Sequence, residues 1–110
     1  MRSRVSETLP SSVRRALQKF GEDIAIARKK RGLTIAMLAE RVNVAPATIK
    51  RVEKGDARVG LGVYAMTLFV LGFGARIGEL IDPGRDETGL LLDQARIPDR
   101  VRPRKGPTPV

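Results

Sequence analysis

The chain has 110 residues, with 21 Lys+Arg against 12 Asp+Glu and a formal net charge of +9. It contains no Cys, His or Trp, which excludes Cys/His zinc sites, disulfides, thiol nucleophiles and imidazole catalysis. The length suits one domain, the 42% hydrophobic content supports a core, and the basic surplus points to a polyanion, nucleic acid ahead of anionic membrane.

Residues 1–10 read as a flexible arm ending at Pro10, after which Ser11 or Ser12 is placed to cap a helix. Val13, Leu17, Phe20, Ile24 and Ala27 recur at steps of four and three, the spacing of one helix face. Arg28, Lys29, Lys30 and Arg31 complement the negative end of that helix, and Gly32 follows as its terminating residue. Thr34 is the next N-cap candidate, opening a short helix over Ile35 to Val42 with Leu38 and Ala39 inward. Asn43 suits a left-handed turn position. Pro46 suits the first position of another short helix, which stops at Gly55 with Ile49 and Val52 inward.

The longest uncharged stretch runs from Val59 to Ala75. It is shorter than the roughly 20 apolar residues of a membrane span and is broken by glycines at both ends, so it reads as a buried helix, Leu61 to Leu71. A last short helix is expected over Ala75 to Ile81, ended by Asp82-Pro83-Gly84. Gly89 to Gln94 has the composition of a short strand without a partner strand, and the basic, proline-rich stretch after Pro98 reads as a disordered tail. Domain boundaries are therefore expected at 11–81, with an extended or disordered 82–110 segment available for dimer or partner contact. The basic start Met1-Arg2-Ser3-Arg4 has no apolar run after it, so no secretory signal is read and a cytoplasmic location is expected. Charge is polarised along the chain: +6 over 1–31, +2 over 32–60, zero over 61–81, −3 over 82–95 and +4 over 96–110.

Two short helices joined by Asn43-Val44-Ala45 have the length and turn chemistry of a helix-turn-helix. The run Ala27-Arg28-Lys29-Lys30-Arg31-Gly32-Leu33-Thr34, followed by Leu38-Ala39-Glu40-Arg41-Val42-Asn43-Val44-Ala45-Pro46-Ala47-Thr48-Ile49-Lys50-Arg51-Val52-Glu53-Lys54-Gly55, resembles the Cro/CI-type (XRE) helix-turn-helix family over about residues 17–81. The resemblance implies an all-α, five-helix lambda-repressor-like domain whose second motif helix enters the major groove. It implies a close helix crossing at Ala39, an apolar Val44 after the turn, and a partly buried structural salt bridge between Arg28 and Glu53. It also implies a homodimeric repressor bound to a palindromic double-stranded operator. Three positions depart from the pattern: Ile35 replaces a frequent Gln, Asn43 replaces the turn Gly, and Ala45-Pro46-Ala47 opens the recognition helix with few hydrogen-bond donors.

Within that frame Arg51 is the candidate for guanine O6/N7, with a phosphate contact or plain solvation as its alternatives. Ala47 and the Thr48 methyl suit thymine methyls. Lys50, Lys54 and Arg58 are phosphate candidates, together with the helix start at Pro46 and the hydroxyl of the cap Thr34. Asp86-Glu87-Thr88-Gly89 with Leu90 to Leu92, then Pro98-Asp99-Arg100-Val101-Arg102, is similar to the layout of HipB-like antitoxins. That implies a HipA-like kinase toxin as partner and autoregulation of a toxin-antitoxin operon, with a stand-alone or phage-type repressor as the alternative. Gly60-Leu61-Gly62-Val63-Tyr64-Ala65 matches a dinucleotide-binding pattern, but no strand precedes it. No catalytic constellation, cofactor site or metal site is read from the sequence, so an enzyme is not expected.

Overall fold

The computed structural model describes residues 4–100, with side chains described for residues 4–96. Residues 1–3 of the expected arm and the expected tail from residue 101 onward lie outside the described residues. The described chain is helical, with no strand. It divides into two compact units, one running through Ile77 and the other starting at Gly78.

The first unit opens with α1, a single turn over Val5–Thr8 inside the segment read as an arm. The long α2 spans Ser11–Lys30. Its N-cap is Pro10 rather than either serine, and no side chain caps it. The helix starts one residue ahead of the expected cap, which places Ser11 and Ser12 inside the first turn. Ile24 and Arg28 are buried on its inner face, with Leu17, Phe20 and Ala27 half-buried beside them. Gly32 ends the helix with a φ of +69°.

α3 spans Ile35–Val42 and is capped by Thr34, whose hydroxyl accepts from the Met37 N–H at 3.0 Å. Asn43 turns the chain left-handed at φ 72°, and both the Asn43 and Val44 N–H groups donate back to the Ala39 carbonyl. α4, Pro46–Glu53, begins with proline at N1, where the lost N–H would have had no helical acceptor. Leu38, Ala39 and Val42 of α3 pack with Ile49 and Val52 of α4 to form the centre of the core. Ala39 leaves room for α3 and α4 to cross closely.

α5 occupies Leu61–Leu71 and ends at left-handed Gly72. It contributes Tyr64, Thr67 and Leu71 to the core, and Tyr64 stacks on Phe20 of α2 with ring centroids 5.6 Å apart. Sequence reads this helix as buried, but only one side is: Leu61, Met66 and Phe69 are exposed. An uncharged helix has no polar face to mark which side meets water. Phe73 follows, with the guanidinium groups of Arg31 and Arg76 at 5.0 and 5.3 Å from its ring centre.

The expected last helix at 75–81 is instead a 3₁₀-helix over Gly74–Glu79. Gly74 and Gly78 within six residues weaken an α-helix and leave the tighter, shorter turn. In the second unit, a 3₁₀ turn at Pro83–Arg85 leads into α6, Glu87–Arg100. This corrects the strand reading of Gly89 to Gln94 and the extended reading of the segment around it. The Asp86 carboxylate accepts from the Gly89 N–H at 2.9 Å and caps the helix start, a local signal that outweighs the short Leu90-Leu91-Leu92 run.

Candidate nucleic-acid interface

The position of α4 is set from below. Ile49 and Val52 point into the core and are fully buried, so the opposite stripe, Ala47, Lys50, Arg51 and Lys54, faces solvent. Pro46 is exposed at the helix start and Thr48 is half-buried on its flank. Thr34 is exposed at the start of α3, where the Ile35 and Ala36 N–H groups lie in the first turn and have no intrahelical acceptor.

The far end of α4 is anchored by two contacts with α2. Arg28 Nε donates to Glu53 Oε2 at 2.6 Å and Arg28 Nη2 donates to Glu53 Oε1 at 3.2 Å, a bidentate pair with both side chains about nine-tenths buried. The remaining guanidinium nitrogen, Nη1, donates to the Leu33 carbonyl at 2.8 Å. One residue therefore ties α2, the approach to α3 and the end of α4 together. Beside it the backbones of α2 and α4 nearly touch. A Cβ on Gly21 would lie 2.6 Å from the Glu53 carbonyl oxygen and from the Gly55 nitrogen, and a Cβ on Gly55 would run into the Leu17 carbonyl. Gly55 also takes a φ of +70°.

This anchoring brings Lys29, the neighbour of Arg28, beside α4. Lys29, Lys50 and Lys54 line one open groove with Ile26 and Ile35. Sequence reasoning left Lys29 as part of a basic helix end. The signal that finds it is its place one residue after an arginine committed to Glu53.

Arg58 stands apart from this group in the loop after α4. Its guanidinium is 3.3 Å from the Asp56 carboxylate, and its backbone N–H donates to Asp56 Oδ1 at 2.8 Å. The Arg58 side-chain bond, followed by its backbone bond, holds the Asp56 carboxyl below its ordinary 3.8, and Asp56 in turn raises the Arg58 guanidinium. The Asp56 carbonyl accepts the Tyr64 phenol at 2.7 Å, which fastens the loop to α5. Burial pushes the Tyr64 phenol up to about 12.

Thr34, Pro46, Ala47, Lys50, Arg51 and Lys54 thus lie on or beside the outer side of α3 and α4, with Thr48 partly covered and Arg58 held by a carboxylate. Gly60 caps α5 and Gly62 lies in its first turn. A Cβ on either meets nothing within 4 Å, so the dinucleotide-like pattern marks a helix start with no close backbone approach. Among the described residues no cluster of three acidic side chains forms that would hold a metal ion. No helix among them is long and apolar enough to cross a membrane.

Residues 24–63 match a protein-family model described as helix-turn-helix. The matched stretch takes in α3, the Asn43 turn and α4 whole, together with Arg28 and Glu53. No curated protein and no solved structure matches the chain.

Proposed function

We propose that the chain is a sequence-specific DNA-binding transcription regulator of the XRE type, acting as a homodimeric repressor without catalytic activity. The observation that carries this reading is the solvent-facing stripe Ala47, Lys50, Arg51 and Lys54. It lies on a helix whose other side is locked into the core, within the segment that matches the helix-turn-helix model. Lys29, Lys50 and Lys54 supply phosphate attraction. The exposed start of α3 offers the Thr34 hydroxyl and first-turn N–H groups to a phosphate. Arg51 reads guanine, and Ala47 with the Thr48 methyl meets thymine methyls.

An eight-residue helix spans few base pairs, so two copies related by a two-fold axis read half-sites about 34 Å apart. Selection of bound duplexes from a random library tests the reading. An inverted repeat with that spacing is expected, and recovery of unrelated sequences without any repeat contradicts it.

The antitoxin role is a second reading, supported by the order of residues 86–102 and by leucines exposed in the second unit. Co-expression with the product of the adjacent gene tests it. A stable complex with a kinase-like protein is expected, and recovery of this chain alone contradicts it.

A further inference from the structure

The second unit has no core of its own. From Gly78 to Arg96 no residue is buried, and five large aliphatic side chains face solvent: Leu80 at 76%, Ile81 at 83%, Leu90 at 49%, Leu91 at 66% and Leu92 at 56% exposed. An isolated helix of 14 residues is marginal in water, because most helical stability comes from packing an apolar face. Something must therefore cover α6.

We propose that a second copy of α6 covers it, the two helices packing antiparallel about a two-fold axis that passes close to Leu91. Two observations select this occupant. The five aliphatic side chains expose roughly 650 Å² per chain, close to the ~800 Å² that each partner contributes to a standard stable interface. Charge also runs in opposite senses at the two ends of the helix, which starts beside Asp86 and Glu87 and ends with Arg96 and Arg100. Antiparallel pairing sets the acidic start of each copy beside the basic end of the other, whereas parallel pairing sets like beside like. The −3 charge over residues 82–95 disfavours DNA as the occupant. A two-fold contact of this kind uses the same patch on both copies and closes at the dimer.

This inference rests on the dimeric reading above and is tested without DNA. Sedimentation equilibrium of the full chain is expected to give twice the chain mass. The double variant Leu90→Asp/Leu91→Asp is expected to give the mass of one chain. Tyr64 fluorescence reports only on the first unit, and its melting is expected to stay unchanged in that variant. Because the chain has no cysteine, Leu91→Cys provides an independent test. A residue at the axis meets itself, so oxidation is expected to yield covalent dimer, while Gln18→Cys on α2 yields none.

A monomeric wild-type chain overturns the proposal, and so does a double variant that remains dimeric. The latter result places the contact elsewhere, such as the exposed side of α5. A dimer built on α6 that shows no preference for any DNA sequence contradicts the proposed function and leaves this assignment standing. A monomer that binds a selected site does the reverse.

Discussion

Arg28 of α2 and Glu53 of α4, 25 residues apart, close a bidentate ion pair at 2.6 and 3.2 Å beneath the exposed stripe of α4. Removing one partner leaves the other charge buried and alone, which costs about 3–5 kcal/mol. Glu53→Gln and Arg28→Met are each expected to lose that much in urea unfolding. The double variant Arg28→Met/Glu53→Leu is expected to lose less than the two single losses combined, since neither charge is then stranded.

Gly21 is expected to tolerate no side chain. The atoms its Cβ would meet are the backbone of Glu53 and Gly55, which cannot rotate away. Gly21→Ala should cost at least the ~1–3 kcal/mol of an overpacked core. Gly62 has open space around its Cα and lies within a helix. Gly62→Ala is expected to add about 0.5–1 kcal/mol through helix propensity. Thermal melting of the two variants should move in opposite directions.

Tyr64 is the only tyrosine in a chain without tryptophan, so its ionisation can be followed directly by absorbance. The expected midpoint is about 12, raised by burial and then by Asp56. The folded state favours the neutral phenol. Its contribution to stability is therefore complete below pH 10 and is lost as pH rises from 10 through 12. Tyr64→Phe should remove this alkaline loss and cost about 1 kcal/mol at neutral pH through the bond to the Asp56 carbonyl. A midpoint near 10 contradicts the burial of the ring.

Asp56 has the opposite sign. Its carboxyl is held below 3.8 by Arg58, so the pair adds stability above that pH and loses it as pH falls further. Asp56→Asn is expected to flatten acid unfolding. The same substitution frees the Arg58 guanidinium, an exposed group whose pairing is worth at most about 1 kcal/mol. DNA affinity should then rise by up to about fivefold on all sequences alike. A rise confined to one sequence would place Arg58 at a base instead of a phosphate.

Much of the first unit was legible in the residues, because local chemistry sets its boundaries. The Thr34 hydroxyl, the left-handed Asn43, proline at position 46 and Gly55 each mark one end of α3 or α4. What escaped depends on contacts distant in sequence. A glycine at position 21 reads as a cost inside a helix until the end of α4 is seen to cross it. The uncharged α5 hides which side meets water, and its exposed Leu61 and Phe69 carry no polar marker. Leu90-Leu91-Leu92 resembles a strand when the Asp86 cap before it is overlooked. At the site, composition identified the cations of α4, but the alignment of Lys29 with them and the engagement of Arg58 by Asp56 are features of the folded loop and helix ends.

The most direct test of DNA reading by α4 is the ratio of affinities for a selected duplex and its scrambled counterpart, measured at one salt concentration for the wild-type chain, Arg51→Ala and Lys54→Ala. The account predicts a wild-type ratio of at least about 10³. Arg51→Ala should lose roughly 1–3 kcal/mol on the selected site and little on the scrambled one, lowering the ratio, while Lys54→Ala should weaken both about equally. A wild-type ratio near one, or an Arg51→Ala ratio equal to that of the wild type, would contradict it.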